Sequence, residues 1–346
     1  MKYGSIINGW DIGGVNIKVV QIDSSTTPAT VLKSINIPFE IWHDPDKLAA
    51  QLDKAANSLS IKNDQPHAVT ITAELSDAFR TKKEGVLFIV NALKKAFGDS
   101  LVFIFNLKGG FYNIHEAEKN PLLCAASNWL ASSSYIGKFY RDCILIDVGS
   151  TTTDIIPILN GNAVCEERTD TGRLLNSELV YSGVLRTNPN TITHTVPISG
   201  KECPVAAEYF TVMADVYLIL GDISPESYTC PTSDGRDKTI DDARSRLARI
   251  ICADSEILSA KEIDNIARYL KEKQIDRISS AVSDVKSRYW DTDIKAVITG
   301  TGTFLAEQAA KKAGIHNIIH WKSEEDHNCL PAFAAAYLLK EHQWNP

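Results

Sequence analysis

Residues 145–158 read LIDVGSTTTDIIPI. An apolar strand runs into an acid and a glycine. Four consecutive hydroxyls follow (Ser150, Thr151, Thr152 and Thr153), and a second apolar run resumes. A two-residue hairpin turn asks for Asn-Gly or Gly-Gly, which tolerate positive φ, and neither is present. Hydroxyls and backbone N–H groups fanned out behind a glycine are instead the donors a phosphate meets. A Ser/Thr-rich turn with no ligand has the same letters, so the neighbouring sequence must decide.

Working outward, residues 143–149, 152–159 and 162–167 are three strand-like runs in succession. The same order stands at the N-terminus, where 6–12 and 15–22 meet at a Gly pair and 29–37 follow. After the first triplet, Leu48, Leu52 and Ala55 at helical spacing predict a helix over 46–58. Strand 67–72, helix 82–97 and strand 101–105 come next, then a helix through 120–137 with Pro121 in its first turn. After the second triplet, a polar, turn-rich excursion spans about 170–260. A long helix (262–288), an apolar strand ending at Gly300, helix 303–313, a short strand (316–320) and helix 331–341 complete the chain. Order of elements, not residue identity, thus indicates a duplicated α/β protein with halves at 1–140 and 141–346 facing each other across a cleft.

The duplication gives the opening stretch a counterpart. WDIGGVNIKVV (10–20) places an acid, a Gly pair, Asn16 and Lys18 at the same hinge. Asp11 and Asp147 are then equivalent positions. Gly13 and Gly14 in the first hinge, and Gly149, Ser150, Thr151 and Thr152 in the second, are the phosphate-binding candidates. A third segment, VITGTGTF (297–304), ends an apolar strand in Gly300 and Gly302 just before a helix, where small residues let backbone approach a ligand. Three such loops at matching places point together to a phosphate-binding cleft.

Composition sets the context. The 346 residues are 44% hydrophobic and 23% charged, as in water-soluble globular chains, and are long enough for two domains. A net charge of −7 argues against nucleic-acid or anionic-membrane partners. Seven scattered cysteines without a C-x-x-C pair fit reduced thiols in a cytoplasmic protein, not a disulfide frame or zinc site. No run reaches the length of a membrane span. A homodimer is left open.

This arrangement resembles the superfamily of sugar kinases, Hsp70 chaperones, actin and hydantoinases. It implies two ribonuclease-H-like domains, with Asp11–Lys18 and Asp147–Asp154 as phosphate loops and 297–302 as an adenosine-type loop. A more specific resemblance covers nearly the whole chain, through DIGG, TAELSDAF, TKKEGV, ASNW, LIDVGSTTTDIIPI, GVLRT and VITG. On these blocks the sequence is similar to the hydantoinase/oxoprolinase-related family of tetrahydromethanopterin-linked one-carbon metabolism. That family implies an ether-forming step of methanofuran biosynthesis. In it, an aminomethyl-furanmethanol diphosphate condenses with the phenol of γ-glutamyltyramine and releases diphosphate.

Such a reaction chiefly needs stabilisation of the leaving group, because the furan ring delocalises the developing cation. Mg²⁺ held by Asp11 and Asp147, with Lys18 and backbone N–H groups, would supply it. ITAELSDAFRTKKEGV (71–86) is the substrate-specific candidate: Glu74 or Asp77 would take the phenol proton or bind an amine, and Lys83 would meet phosphate. Asp77 could equally cap the following helix. Asn128, Arg173 and Arg186 are candidate substrate-binding residues, although an ordinary ion pair explains each arginine as well. Trp129 reads as core, and SDGRDKTIDD (233–242) as a polar loop, not an EF-hand. The alternative is an ATP-dependent small-molecule kinase or oxoprolinase-type hydrolase, with ATP in the same loops.

Overall fold

The computed structural model describes residues 4–26, 29–321 and 329–344. The first sheet begins with the antiparallel hairpin β1 (Ile6–Gly13) and β2 (Asn16–Asp23), extended by β3 (Thr30–Pro38). Helix α1 (Leu48–Leu59) buries Leu48, Leu52, Ala55 and Leu59, the helically spaced stripe of the sequence. It returns the chain to β4 (His67–Thr72), parallel to β1. Helix α2 (Lys82–Phe97) is started by Thr81, whose hydroxyl accepts from the Glu84 N–H at 3.1 Å. Then come β5 (Val102–Phe105), β6 (Phe111–Asn113), α3 (Ile114–Lys119) and α4 (Asn128–Ile136). The strand order is β3-β2-β1-β4-β5-β6.

The expected helix over 120–137 is split. Pro121–Leu123 form one 3-10 turn, Ala125 makes an isolated parallel bridge to Ile71 of β4, and Ala126 takes φ 46°. Only from Asn128 is the chain α-helical. A sheet contact has overridden good helix formers.

The second sheet repeats the plan. Strands β7 (Cys143–Val148) and β8 (Thr153–Leu159) form the hairpin. The third run is shorter than expected: β9 (Asn162–Ala163) covers one end of the outer edge of β8. After α5 (Asp170–Leu175), β10 (Leu179–Val180) covers the other end. The excursion also carries β11 (Thr195–Ile198), β12 (Lys201–Pro204), α6 (Met213–Leu220) and α7 (Ile240–Ala248). Helix α8 (Ala260–Tyr289) leads to β13 (Lys295–Thr299), α9 (Thr303–Lys312), β14 (Asn317–His320) and α10 (Leu330–Trp344). The order is β10-β8-β7-β13-β14, with β13 parallel to both β7 and β14.

The register repeats at the strand-end acids of the two sheets. Asp11 of β1 faces Lys18 across the hairpin and Thr70 across the parallel pair. Asp147 of β7 faces Asp154 and Thr299 in the same two directions. The two sheets share a core in which α4 and α10 are packed: Ile7, Val20 and Ala68 from one side and Leu145, Ile156 and Val297 from the other meet Leu130, Ala332 and Phe333. Gly9 makes the closest approach, since a Cβ there would stand 1.9 Å from the Ala332 carbonyl oxygen. The last helix of the chain therefore lies on the first sheet. Among the described residues, no helix is long and apolar enough to cross a membrane.

Candidate active site

Both hairpin turns open into one cleft of about 680 Å³, lined by Asp11, Gly13, Gly14, Asn16 and Lys18 from one lobe and Asp147, Gly149, Ser150, Thr151, Thr152 and Asp154 from the other. The turns are fixed in the same manner. In the second, the Gly149 N–H donates to the Thr152 carbonyl at 2.9 Å. The carbonyls of Gly149 and Ser150 accept from the N–H groups of Val184, Leu185 and Arg186 at 2.9–3.0 Å. In the first, the carbonyls of Gly14 and Val15 accept from Ile41 and Phe39 at 3.1 and 2.9 Å. The backbone N–H groups of Gly14, Val15, Ser150, Thr151 and Thr152 have no protein acceptor among the described residues. Turns whose carbonyls are paired and whose N–H groups are left over are the kind of backbone arrangement that can receive an anion.

Gly183 is what lets the passing segment lie on the second turn: a Cβ there would come within 2.6 Å of the Gly149 carbonyl oxygen and the Thr151 nitrogen. Gly300, at φ +88°, plays a comparable part. Its Cβ position is 2.4 Å from both Asp147 Oδ1 and the Val148 carbonyl oxygen. Gly300 lines the cleft, whereas Gly302 lies behind it, donating its N–H to the Val148 carbonyl at 2.8 Å; Thr301 and Thr303 take its place in the lining.

Asp11 is buried, and its Oδ1 accepts from Thr70 at 3.0 Å. Its Oδ2 faces Lys18 at 3.8 Å, too long for a hydrogen bond. Asp154 pairs with Arg173 at 2.6 Å; burial pushes its carboxyl up and the guanidinium opposes that. Arg173 is 1% exposed, stacked at 4.3 Å on Trp129, and committed to Asp154 and the Glu178 carbonyl. It lies outside the cleft lining, behind Asp154. Asn128 lines the cleft as the first residue of α4.

The 71–86 segment divides. Asp77 and Lys83 are exposed and outside the cleft lining. Glu74 is 2% exposed, with Oε2 unpartnered among the described residues. Burial raises its carboxyl to about 7, Asp170 adding to the shift and Lys82 opposing it. It does not line the cleft, but it lies two residues beyond Thr72, which does. Gly85 of α2 packs on its backbone, where a Cβ would fall 2.3 Å from the Glu74 carbonyl oxygen.

The excursion supplies residues that were not singled out. Val184 and Leu185 wall the second turn, and Asp222, Ser224, Ser227 and Thr229 rim the cleft. Asp222 is held by Lys271 at 2.8 Å to each oxygen. A fully buried Asp215–Arg246 pair (2.7 Å), joined by the Tyr228 hydroxyl at 3.0 Å, anchors this part, and Arg246 reaches Asp234 of the 233–242 loop. GVLRT was the available signal, through its glycine. Arg186 of the same block lines a smaller cavity that adjoins the cleft.

Could Mg²⁺ sit here? No group of three His, Cys, Asp or Glu side chains gathers among the described residues. Mg²⁺ does not require one: it keeps waters and binds one or two carboxylates together with substrate phosphates. Asp11 and Asp147, at equivalent strand ends in one cleft beside two N–H nests, fit that pattern.

Two duplicated α/β lobes, each presenting a phosphate-type turn to a shared cleft, define the actin- and sugar-kinase-like class of proteins. Within it, residues 66–342 match the hydantoinase/oxoprolinase family, and the chain belongs to that family. It is 37% identical over 337 residues to the (4-{4-[2-(gamma-L-glutamylamino)ethyl]phenoxymethyl}furan-2-yl)methanamine synthase of Methanocaldococcus jannaschii, covering 97% of this chain and 98% of that one. A protein of the same name from Methanococcus vannielii is 35% identical over 206 residues, 58% of this chain and 91% of that one. Among solved structures, the ethanolamine utilization protein EutJ from Carboxydothermus hydrogenoformans aligns with TM-score 0.49 at 14% identity, covering 96% of this chain and 89% of that one.

Proposed function

We propose that the chain is an aryl-ether-forming transferase that joins a phenol to an aminomethyl-furanmethanol diphosphate in methanofuran biosynthesis. The supporting observation is the meeting of two N–H nests in one cleft, on a chain similar along 97% of its length to a synthase whose product carries a phenoxymethyl-furan. A lone pair of the phenol oxygen forms the new bond to the furan methylene carbon. The bond from that carbon to the bridging diphosphate oxygen breaks with its electron pair, and the phenol proton passes to a base.

The two nests and Lys18 receive the charge that grows on the departing diphosphate, from groups already in place before reaction. Asp11 and Asp147 would hold Mg²⁺, which supplies further charge neutralisation at the leaving oxygens. Glu74 is the proposed proton acceptor. It lies two residues beyond Thr72 of the cleft wall, so it would take the proton through an intervening group and not by direct contact. Burial brings its carboxyl to about 7, a proton affinity suited to general base catalysis at neutral pH. The direct test combines purified protein, Mg²⁺, the furfuryl diphosphate and γ-glutamyltyramine, with and without ATP. Ether formed equally in both supports the reading. Dependence on ATP, or phosphorylation of either substrate, overturns it for a kinase or hydrolase.

A further inference from the structure

Beside the cleft, and sharing Val15, Asn16 and Ser150 with it, lies a second cavity of about 320 Å³. Three charged side chains line it, the cations Arg186 and Lys238 and the carboxylate Glu40. Neither Arg186 nor Glu40 makes an ion pair within 4.0 Å among the described residues, so they line one cavity without neutralising each other. The Arg186 guanidinium is stacked at 4.8 Å on the Trp42 ring, which fixes its plane. Its Nη1 is buried without a hydrogen-bond acceptor. The third charged residue of the wall, Lys238, is already committed: its ammonium donates to the Tyr228 carbonyl and lies 5.2 Å from that ring.

An orphaned guanidinium N–H costs free energy until an acceptor arrives, and a planar, pre-oriented fork suits a carboxylate. A separate carboxylate in the same cavity suits an ammonium. One ligand class carries both charged groups on a single carbon, the α-amino acid zwitterion. We propose that this cavity binds the α-amino acid head group of the phenol-bearing acceptor, Arg186 taking the carboxylate and Glu40 the ammonium. The assignment rests on the ether-forming reading of the cleft. It explains the geometry of the joint: the cavity opens onto the Ser150 turn, so a head group seated there directs the rest of the molecule toward the diphosphate site.

Calorimetric binding to the full chain tests it without requiring turnover. The probes are γ-glutamyltyramine, L-tyrosine, tyramine, and the glutaryl amide of tyramine, which keeps the carboxylate and lacks the amine. Wild type should bind γ-glutamyltyramine about tenfold or more tightly than tyramine, the worth of a charge-assisted contact. Arg186→Gln should erase that preference, and Glu40→Gln should erase the preference over the glutaryl amide. Both variants should keep the diphosphate affinity of wild type, which shows that they are folded. Preference for L-tyrosine over tyramine, lost in the same variants, also supports the cavity and reports a shorter acceptor. A preference for the amino acid that survives both substitutions overturns the cavity assignment and leaves the transferase reading intact. No binding of any phenol by wild type overturns both.

Discussion

Lys18 of β2 stands in the first lobe where Asp154 of β8 stands in the second, each directly across the hairpin from the paired acids Asp11 and Asp147. The duplicated plan thus ends in opposite charges. Lys18 keeps its ammonium 3.8 Å from Asp11 and open to the cleft, while Asp154 is neutralised by Arg173 from behind. At this cross-hairpin position the cationic side chain lies on the first lobe and a paired carboxylate on the second.

Lys18→Ala should weaken diphosphate binding by about tenfold, the loss of one charge-assisted contact in a half-open site. Titration calorimetry with inorganic diphosphate reads this directly. An unchanged affinity would mean that Lys18 serves only to compensate Asp11.

Asp11→Asn and Asp147→Asn preserve the strand positions and remove the charges proposed to hold Mg²⁺. Each should fold as wild type by circular dichroism and lose roughly a hundredfold or more of Mg²⁺-dependent turnover. Near-normal activity in both would make the acids structural.

Glu74 gives a stability signature as well as a kinetic one. Its carboxyl is raised from 4.5 to about 7 by burial, so folding favours the protonated form. That contribution is complete below the unfolded value near 4.5 and is lost as pH rises through about 7, a change on the order of 3 kcal/mol. Glu74→Gln, neutral throughout, should gain in Tm relative to wild type as pH is raised from about 5 to about 8. Turnover of the variant should fall and lose its pH break near 7. A Tm difference that is flat with pH would show that Glu74 ionises freely.

Much of this was legible in the chain. The acid–glycine hinge at 11–14 and its repeat at 147–150 pointed to the two turns, and alternation of elements pointed to two sheets, because strand-end glycines and apolar periodicity are local properties. Helix α10, which sequence order puts in the second half, packs on the first sheet. What failed depends on distant neighbours. Arg173 reads as an anion binder until the chain folds and brings it to Asp154, nineteen residues upstream. Glu74 and Asp77 read alike as candidates in one loop, and only the fold separates them, burying Glu74 under Gly85 of α2 and leaving Asp77 exposed. Ala125 sits in a good helical stretch and is taken instead by a bridge to Ile71. Segment 183–186 carried only a resemblance and a candidate side chain, Arg186, whereas in the fold its backbone holds the second turn.

Gly300 offers a test of how tightly the third loop braces Asp147. At φ +88°, with its Cβ position 2.4 Å from Asp147 Oδ1, alanine is both strained and colliding. Gly300→Ala should cost about 1–3 kcal/mol of stability and displace the Asp147 carboxylate. Denaturant unfolding gives the first effect, and loss of Mg²⁺-dependent turnover gives the second. A variant as stable and active as wild type would mean that the loop yields at no cost.

The measurement closest to the central claim follows the phenol oxygen. With the acceptor labelled by ¹⁸O at the phenol, Mg²⁺ present and no ATP, mass spectrometry should find the label in the ether. Unlabelled diphosphate should be released one for one, because the furan carbon–oxygen bond is the one broken. Label appearing in phosphate or diphosphate, or product that forms only when ATP is added, would contradict direct displacement at the furan methylene.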